Sequence, residues 1–387
     1  MDWIAALGGM TNSFLLTMVS FIVVLSVVVF IHELGHFWVG RLCGVGVTAF
    51  SIGFGKELIG WTDGHGTRWK ISAIPLGGYV KFVGDLNAAS IPNQGAVDHM
   101  TPEERAISFP AQPVWKRAAI VAAGPIANFI LAIAIFSALN YINGRQVLEP
   151  RIEAVQPGGA AEQAGFQPHD LVVSINGTLI ETFADLQRIV STSADEPLTI
   201  VVDRGGVKVP LQATPTLQEK ETPFGKQRIG LLGLQASRDP AAIRKVTYTL
   251  PAAVRSGVGE TWYVVDRTFN YIGKLVTGRE STDQLSGPIR IAQVSGQVAT
   301  MGGVMGLVSL MAVLSVSIGL LNLFPVPLLD GGHLLFYGIE AVRGRPLSER
   351  AQEIGFRIGF AIVAALMLFS TWNDIIHLGA SFVSKGT

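Results

Sequence analysis

FLLTMVSFIVVLSVVVFIHELGHFWVGR, residues 14–41, places three ionisable side chains at the end of an apolar run. Residues 14–31 carry no charge over eighteen positions, long enough for a helix to cross the hydrocarbon layer. His32, Glu33 and His36 follow at once. Positions i and i+4 share one face of a helix, so the two imidazoles can grip one metal ion, with Glu33 beside them as a general base. Ionisable groups at that depth are costly unless they serve a site. The stretch therefore predicts a spanning helix that carries metal chemistry.

Composition agrees. Of 387 residues, 49% are hydrophobic and 15% charged, and mean hydropathy is +0.42, which takes the chain outside the soluble globular class. Basic and acidic residues balance at 29 each, so no cationic excess points to nucleic acid as a partner. Cys43 is the single cysteine, which excludes an intrachain disulfide and a multi-thiolate metal site. A transition metal must use histidine and carboxylate.

Three further apolar stretches, 118–142, 301–329 and 358–373, complete a membrane α-helical reading with about four transmembrane helices. The last is short and needs Arg357 to snorkel and Trp372 to sit at the interface. Residues 40–117 carry eight basic side chains (Arg41, Lys56, Arg68, Lys70, Lys81, Arg105, Lys116 and Arg117), whereas residues 1–13 carry none. The positive-inside rule then puts the N-terminus on the extracytoplasmic side. Arg343, Arg345, Arg350 and Arg357 cluster between the third and fourth spans, so the C-terminus is expected on that side too. A cleaved signal peptide would need a basic start and a small-residue cleavage site, so an uncleaved first helix fits better.

These readings divide the chain into a first transmembrane helix (1–44), membrane-associated β-hairpins with a cytoplasmic loop (45–114) and a second transmembrane helix (115–144). There follow a β-rich insert (145–216), a linker with an amphipathic membrane-surface segment (217–300), and a third transmembrane helix (301–338). A cytoplasmic loop, the fourth helix and a short tail (339–387) end the chain. VGVTAFSIGFGKELIGW and TRWKISAIPLGGYVKF alternate as hairpin strands do, and strands at membrane depth must be shielded or paired. Residues 86–113 read as a loop rich in Pro, Ser, Asn and Gln. In the insert, the order of strand, GGAAEQAG, HDLVVSING, short helix and closing strands resembles a PDZ domain, a module that binds peptides by strand addition.

Two histidines leave a catalytic metal underdetermined, because such a site uses three protein ligands and one open position. Asp330 is the best third candidate. It lies in LNLFPVPLLDGGH at the end of an uncharged stretch, where a lone acid is expensive unless a cation compensates it, and Pro325 and Pro327 can redirect the chain there. His333 is open to two readings, a further ligand or an interfacial histidine. His65, His99, His169 and His377 lack ligand spacing and read as solvated or structural. Gly124-Pro125 reads as a helix kink with close packing, and Asn128 either as an interhelical hydrogen bond or as a direct contact to substrate.

HELGH, GPIAN at 124–128 and NLFPVPLLDGGHLLFYGIEAVRGRP at 322–346 together resemble the bacterial site-2 protease family of intramembrane metalloproteases. The resemblance extends over nearly the whole chain. It implies one Zn2+ held by His32, His36 and Asp330, with Glu33 as catalytic base. It also implies that Asn322 helps to hold the substrate backbone and that a hairpin within 45–83 receives an unwound substrate. It points to the bacterial cytoplasmic (inner) membrane, with the zinc toward the cytoplasmic side, and to single-span membrane proteins as substrates. Anti-sigma factors after a first cut and remnant signal peptides are the kinds it suggests, with the PDZ domain screening them. The family often carries two tandem PDZ domains, and one is recognisable here. A noncatalytic PDZ-bearing receptor or scaffold is disfavoured by an intact Glu33, and a transporter by the lack of an inverted repeat or polar ladder.

Overall fold

The computed structural model describes residues 2–85, 100–222, 225–237, 243–278, 282 and 285–385. The stretch 86–99, with His99 and half of the expected 86–113 loop, lies outside the described residues. The chain forms two compact units, one of residues 1–137, 254–269 and 286–387, the other of residues 138–253 and 270–285.

The first unit opens with α1 (Asp2–Leu42), whose last turn carries Arg41, a favourable charge for a helix C-terminus. Strands β1 (Val47–Thr62) and β2 (Arg68–Phe82) then form the expected antiparallel hairpin. Asp63 closes its turn, accepting from the backbone N–H groups of His65 and Thr67 at 2.9 Å and from Trp69 Nε1 at 3.0 Å. Those bonds, led by the Trp69 indole, hold its carboxyl down to about 2. Next comes α2 (Pro102–Ile107), a short helix where the sequence reading expected loop. Its cause is a Thr101–Glu104 capping box with Pro102 at the first position.

Helix α3 (Val114–Asn143) follows and carries Pro125 inside it. Phe50 of the hairpin, Phe109 and Ile120 of α3 are buried together as the core beneath α1.

The second unit is built from short elements. They are β3 (Arg145–Leu148), β4 (Ile152–Val155), α4 (Ala160–Gln163), β5 (Leu171–Ile175), β6 (Thr178–Leu179) and α5 (Phe183–Thr192). After these come β7 (Leu198–Arg204), β8 (Val207–Ala213), β9 (Thr216–Thr222), β10 (Gly225–Leu231), β11 (Leu234–Ala236) and β12 (Ile243–Val246). The sheet β6-β5-β7-β8 is antiparallel throughout, and α5 buries Phe183, Leu186 and Val190 in the same apolar core as Ile175, Ile200 and Val202. Residues 217–246 are not the linker expected of them. β9 pairs with β10, β11 pairs with β4 and β12 pairs with β3, so the unit extends well past residue 216.

Helix α6 (Leu250–Val276) is the amphipathic segment expected within 217–300, and its central part belongs to the first unit. There Val264 and Val265 pack against Ala132 of α3 and against Ala312 and Val316 of α7 (Pro288–Asn322). α7 is not one straight rod. Gly303 has φ 56° and ψ −148°, and a Cβ on Gly306 would lie 2.9 Å from a side-chain carbon of Val298. Eight residues of continuous helix would separate those positions by about 12 Å, so the chain folds back at Gly303. At its start, Asp374 of α9 (Glu349–Lys385) accepts from the backbone N–H groups of Gly287 and Arg290, both at 3.0 Å.

Among the described residues, four helical stretches are long and apolar enough by length and composition to span a membrane, Phe14–Leu42, Val114–Asn143, Pro288–Asn322 and Glu349–Ile376, the third including the reversal at Gly303. The third span ends at Asn322 instead of continuing to residue 338. Pro325 and Pro327 cannot donate helical hydrogen bonds, and Leu328 turns the chain with φ 113°. A separate helix, α8 (Asp330–Arg343), then begins at the candidate ligand.

Candidate active site

α1 presents His32 and His36 on one face, and their Nε2 atoms lie 3.2 Å apart. Because the chain breaks at 323–329, Asp330 enters from the start of α8. Its Oδ2 lies 3.1 Å from His32 Nε2 and 3.5 Å from His36 Nε2. One ligand atom from each of the three residues falls within 4.8 Å of the others. Both histidines are buried, and Asp330 is nearly so. The position of α8 is fixed from below by a buried ion pair, Arg117 of α3 to Glu340 at 2.6 Å.

The donor set fits zinc. Asp330 Oδ2 is buried and has no hydrogen-bond partner of good geometry, although two imidazole nitrogens face it. Such an atom is expensive unless a cation shares it. The Nδ1–H of His36 donates to the Ile120 carbonyl at 2.8 Å, which leaves the Nε2 lone pair for a metal. Two nitrogens and one oxygen with a position left open match a catalytic zinc site.

One participant went unrecognised in the sequence. A Cβ on Gly124 would lie 2.2 Å from His36 Nε2 and 2.9 Å from His32 Nε2. α3 therefore offers bare backbone to the donor cluster. The GPIAN motif was the signal, but a glycine beside a proline in a spanning helix reads first as packing.

Around the donors lies a cavity of about 470 Å³ lined by Glu33, Phe54, Tyr79, Asn322 and His333 among others. Gly78 of β2 runs close past Glu33, so the strand borders the cavity. Asn322 thus shares the cavity with Asp330. Asn128 does not line it. Its side chain is 0% exposed and lies against the rear of His32, with Nδ2 at 3.3 Å from Nδ1. His333 is buried with its ring 5.4 Å from that of Phe356 and lies outside the three-atom cluster. His65 sits in the β1–β2 turn and His169 in the second unit, and neither joins the cluster.

A histidine pair, a carboxylate and a neighbouring glutamate converging on a cavity are the equipment of a metallohydrolase. The profile of Peptidase family M50 matches residues 20–366, and the chain belongs to that family, the site-2 proteases, which are zinc metalloproteases. Among relatives, a protein of Agrobacterium fabrum is 52% identical over 379 residues, covering 98% of this chain and 100% of the relative. One from Rhizobium meliloti is 50% identical over 360 residues, covering 93% and 96%. Both carry the name "Putative zinc metalloprotease". Metalloprotease MmpA of Caulobacter vibrioides is 41% identical over 384 residues, covering 94% and 96%.

Proposed function

We propose that this chain hydrolyses peptide bonds in the transmembrane segments of single-span membrane proteins, using zinc held by His32, His36 and Asp330. The observation that carries the reading is the convergence of those three donor atoms beside Glu33 at the end of a spanning helix. When bound, zinc supplies a Lewis acid that polarises the scissile carbonyl and acidifies water. A Glu33 carboxylate oxygen takes a proton from the attacking water and delivers it to the departing amide nitrogen. Asn322, lining the same cavity, hydrogen-bonds the substrate backbone. A helical substrate hides its amides in internal hydrogen bonds, so it must unwind before cleavage. Backbone of β2 beside Glu33 offers replacement partners by strand addition.

The second unit acts as a PDZ domain that screens substrates. In this scheme the protein lies in the bacterial inner membrane, with both termini and the PDZ domain extracytoplasmic and the zinc toward the cytoplasm, as the Lys and Arg distribution supports. A bulky ectodomain is refused and a trimmed stub accepted, which suits anti-sigma factors after a first cut and remnant signal peptides. The test is cleavage of a reconstituted single-span substrate by wild type and Glu33→Gln, each stripped with chelator and resupplied with zinc. Rescue of wild type alone is expected. Persistent cleavage by Glu33→Gln would sink the mechanism, and unchanged discrimination between full-length and trimmed substrate after deletion of residues 145–246, the strands of the second unit, would sink the screening role.

A further inference from the structure

We infer that Asn128 is a positioning residue for the metal. Its side-chain oxygen accepts the Nδ1 proton of His32 and thereby holds the Nε2 lone pair toward the donor cluster. This rests on the metalloprotease reading and assigns Asn128 to the ligand instead of the substrate.

Three observations carry it. Asn128 is 0% exposed and lines no part of the cavity, so it acts through a neighbour and not on a peptide. That neighbour is His32, whose Nδ1 lies 3.3 Å from the amide. The amide oxygen, Oδ1, is buried without a hydrogen-bond partner. An amide nitrogen only donates, so with Nδ2 facing His32 the imidazole proton must sit on Nε2, the atom a metal needs bare. Turning the amide by 180° exchanges two ends of nearly equal size, so the packing around Asn128 accepts either orientation and the hydrogen bond decides. Oδ1 then accepts from Nδ1–H, and Nε2 is free.

His36 already has this arrangement. Its Nδ1–H is held by the Ile120 carbonyl, also on α3. One helix therefore fixes the rear nitrogen of both imidazoles, once with backbone and once with a side chain. Asn128 is itself well anchored. Ser315 Oγ donates to its backbone carbonyl at 2.9 Å, and α7 approaches so closely that a Cβ on Gly319 would lie 3.2 Å from its Cβ. Partners of this kind orient a metal-binding histidine and raise its basicity.

The test uses full-length protein in detergent, with zinc affinity read by competition against a fluorescent chelator and unfolding of the zinc-free protein followed in parallel. Asn128→Leu keeps the branching at Cγ but cannot accept a proton, and zinc affinity should fall roughly 10- to 100-fold. Asn128→Asp accepts at either oxygen and should bind zinc at least as tightly as wild type. Leu within threefold of wild type, or Asp as weak as Leu, overturns the proposal. Should Asn128→Leu fail to unfold cooperatively, Asn128→Asp decides alone, and a tenfold loss there also overturns it. Wild type that binds no zinc defeats the metalloprotease reading itself, whereas tight binding by both wild type and Asn128→Leu defeats only this inference.

Discussion

Gly124→Ala adds one methyl group to the wall of the site. The new carbon would stand 2.2 Å from His36 Nε2, where ordinary contact begins at 3.4 Å, so the ring must retreat by about 1.2 Å. Retreat is not free, since the far side of the ring is tied to Ile120 at 2.8 Å. Zinc tolerates ligand displacements of about 0.2 Å, one-sixth of what the methyl demands. Losing an outer partner of a metal ligand costs about 10- to 100-fold in affinity, so displacing a ligand should cost at least 100-fold. Helix propensity works the other way, because alanine is favoured over glycine inside a helix by about 1 kcal/mol. The variant should therefore keep wild-type helicity by circular dichroism in detergent while losing stoichiometric zinc by metal analysis and all cleavage. A Gly124→Ala protein that holds one zinc at wild-type affinity would refute the reasoning.

Asp330→Asn should fold but fail to retain zinc through gel filtration, and stoichiometric zinc in that variant would remove Asp330 from the ligand set. Glu340→Gln leaves the buried Arg117 guanidinium without its counter-charge, a change that costs about 3–5 kcal/mol for buried pairs. Chemical unfolding in mixed micelles should register it, and a loss under 1 kcal/mol would mean that the pair is solvated. The Trp69 indole and the turn amides hold the Asp63 carboxyl down to about 2 from its ordinary 3.8. Its depressed value makes its contribution to the β1–β2 turn fully present above about 3.8 and lost as pH falls through 2. Amide exchange in residues 63–69 should accelerate across that window in wild type but not in Asp63→Asn, and equal profiles would count against the turn bonds. Burial pushes the Asp170 carboxyl up, yet Arg204 and the Gln167 amide N–H overcome it and leave it below its ordinary value. Protection of the β5–β7 ladder should therefore weaken only as pH drops below about 3.8, and Arg204→Leu should abolish that weakening, because burial, the largest influence on Asp170, is then opposed by the Gln167 N–H alone.

Much of the site was legible because its chemistry is local in sequence. HELGH sets two donors by helical periodicity alone, and an acid at the end of an apolar run advertises Asp330. The hairpin was legible from alternation, and the second unit's β-rich character from the order of strand, GGAAEQAG and HDLVVSING. What escaped depends on contacts between distant segments. No local pattern tells that Gly124 faces His36, or that Asn128 faces His32 and not the cavity, since both follow from how α3 lies on α1. β11 and β12 escaped for the same reason, because their partners β4 and β3 lie some 80–100 residues upstream. α2 was different: the Pro, Ser, Asn and Gln around it read as loop, and its capping box was passed over.

The reversal at Gly303 gives insertions two very different fates. The tip is open to solvent or lipid, with Met301 89% and Val304 75% exposed, so an added residue there lengthens a turn and leaves both arms in place. An added residue between 304 and 322 instead advances the helical phase by about 100°. It would swing Asn322 off the cavity and carry Ser315 and Gly319 away from Asn128. Hydropathy is blind to this difference, and the same apolar residue can be silent or ruinous according to which side of a single glycine it enters.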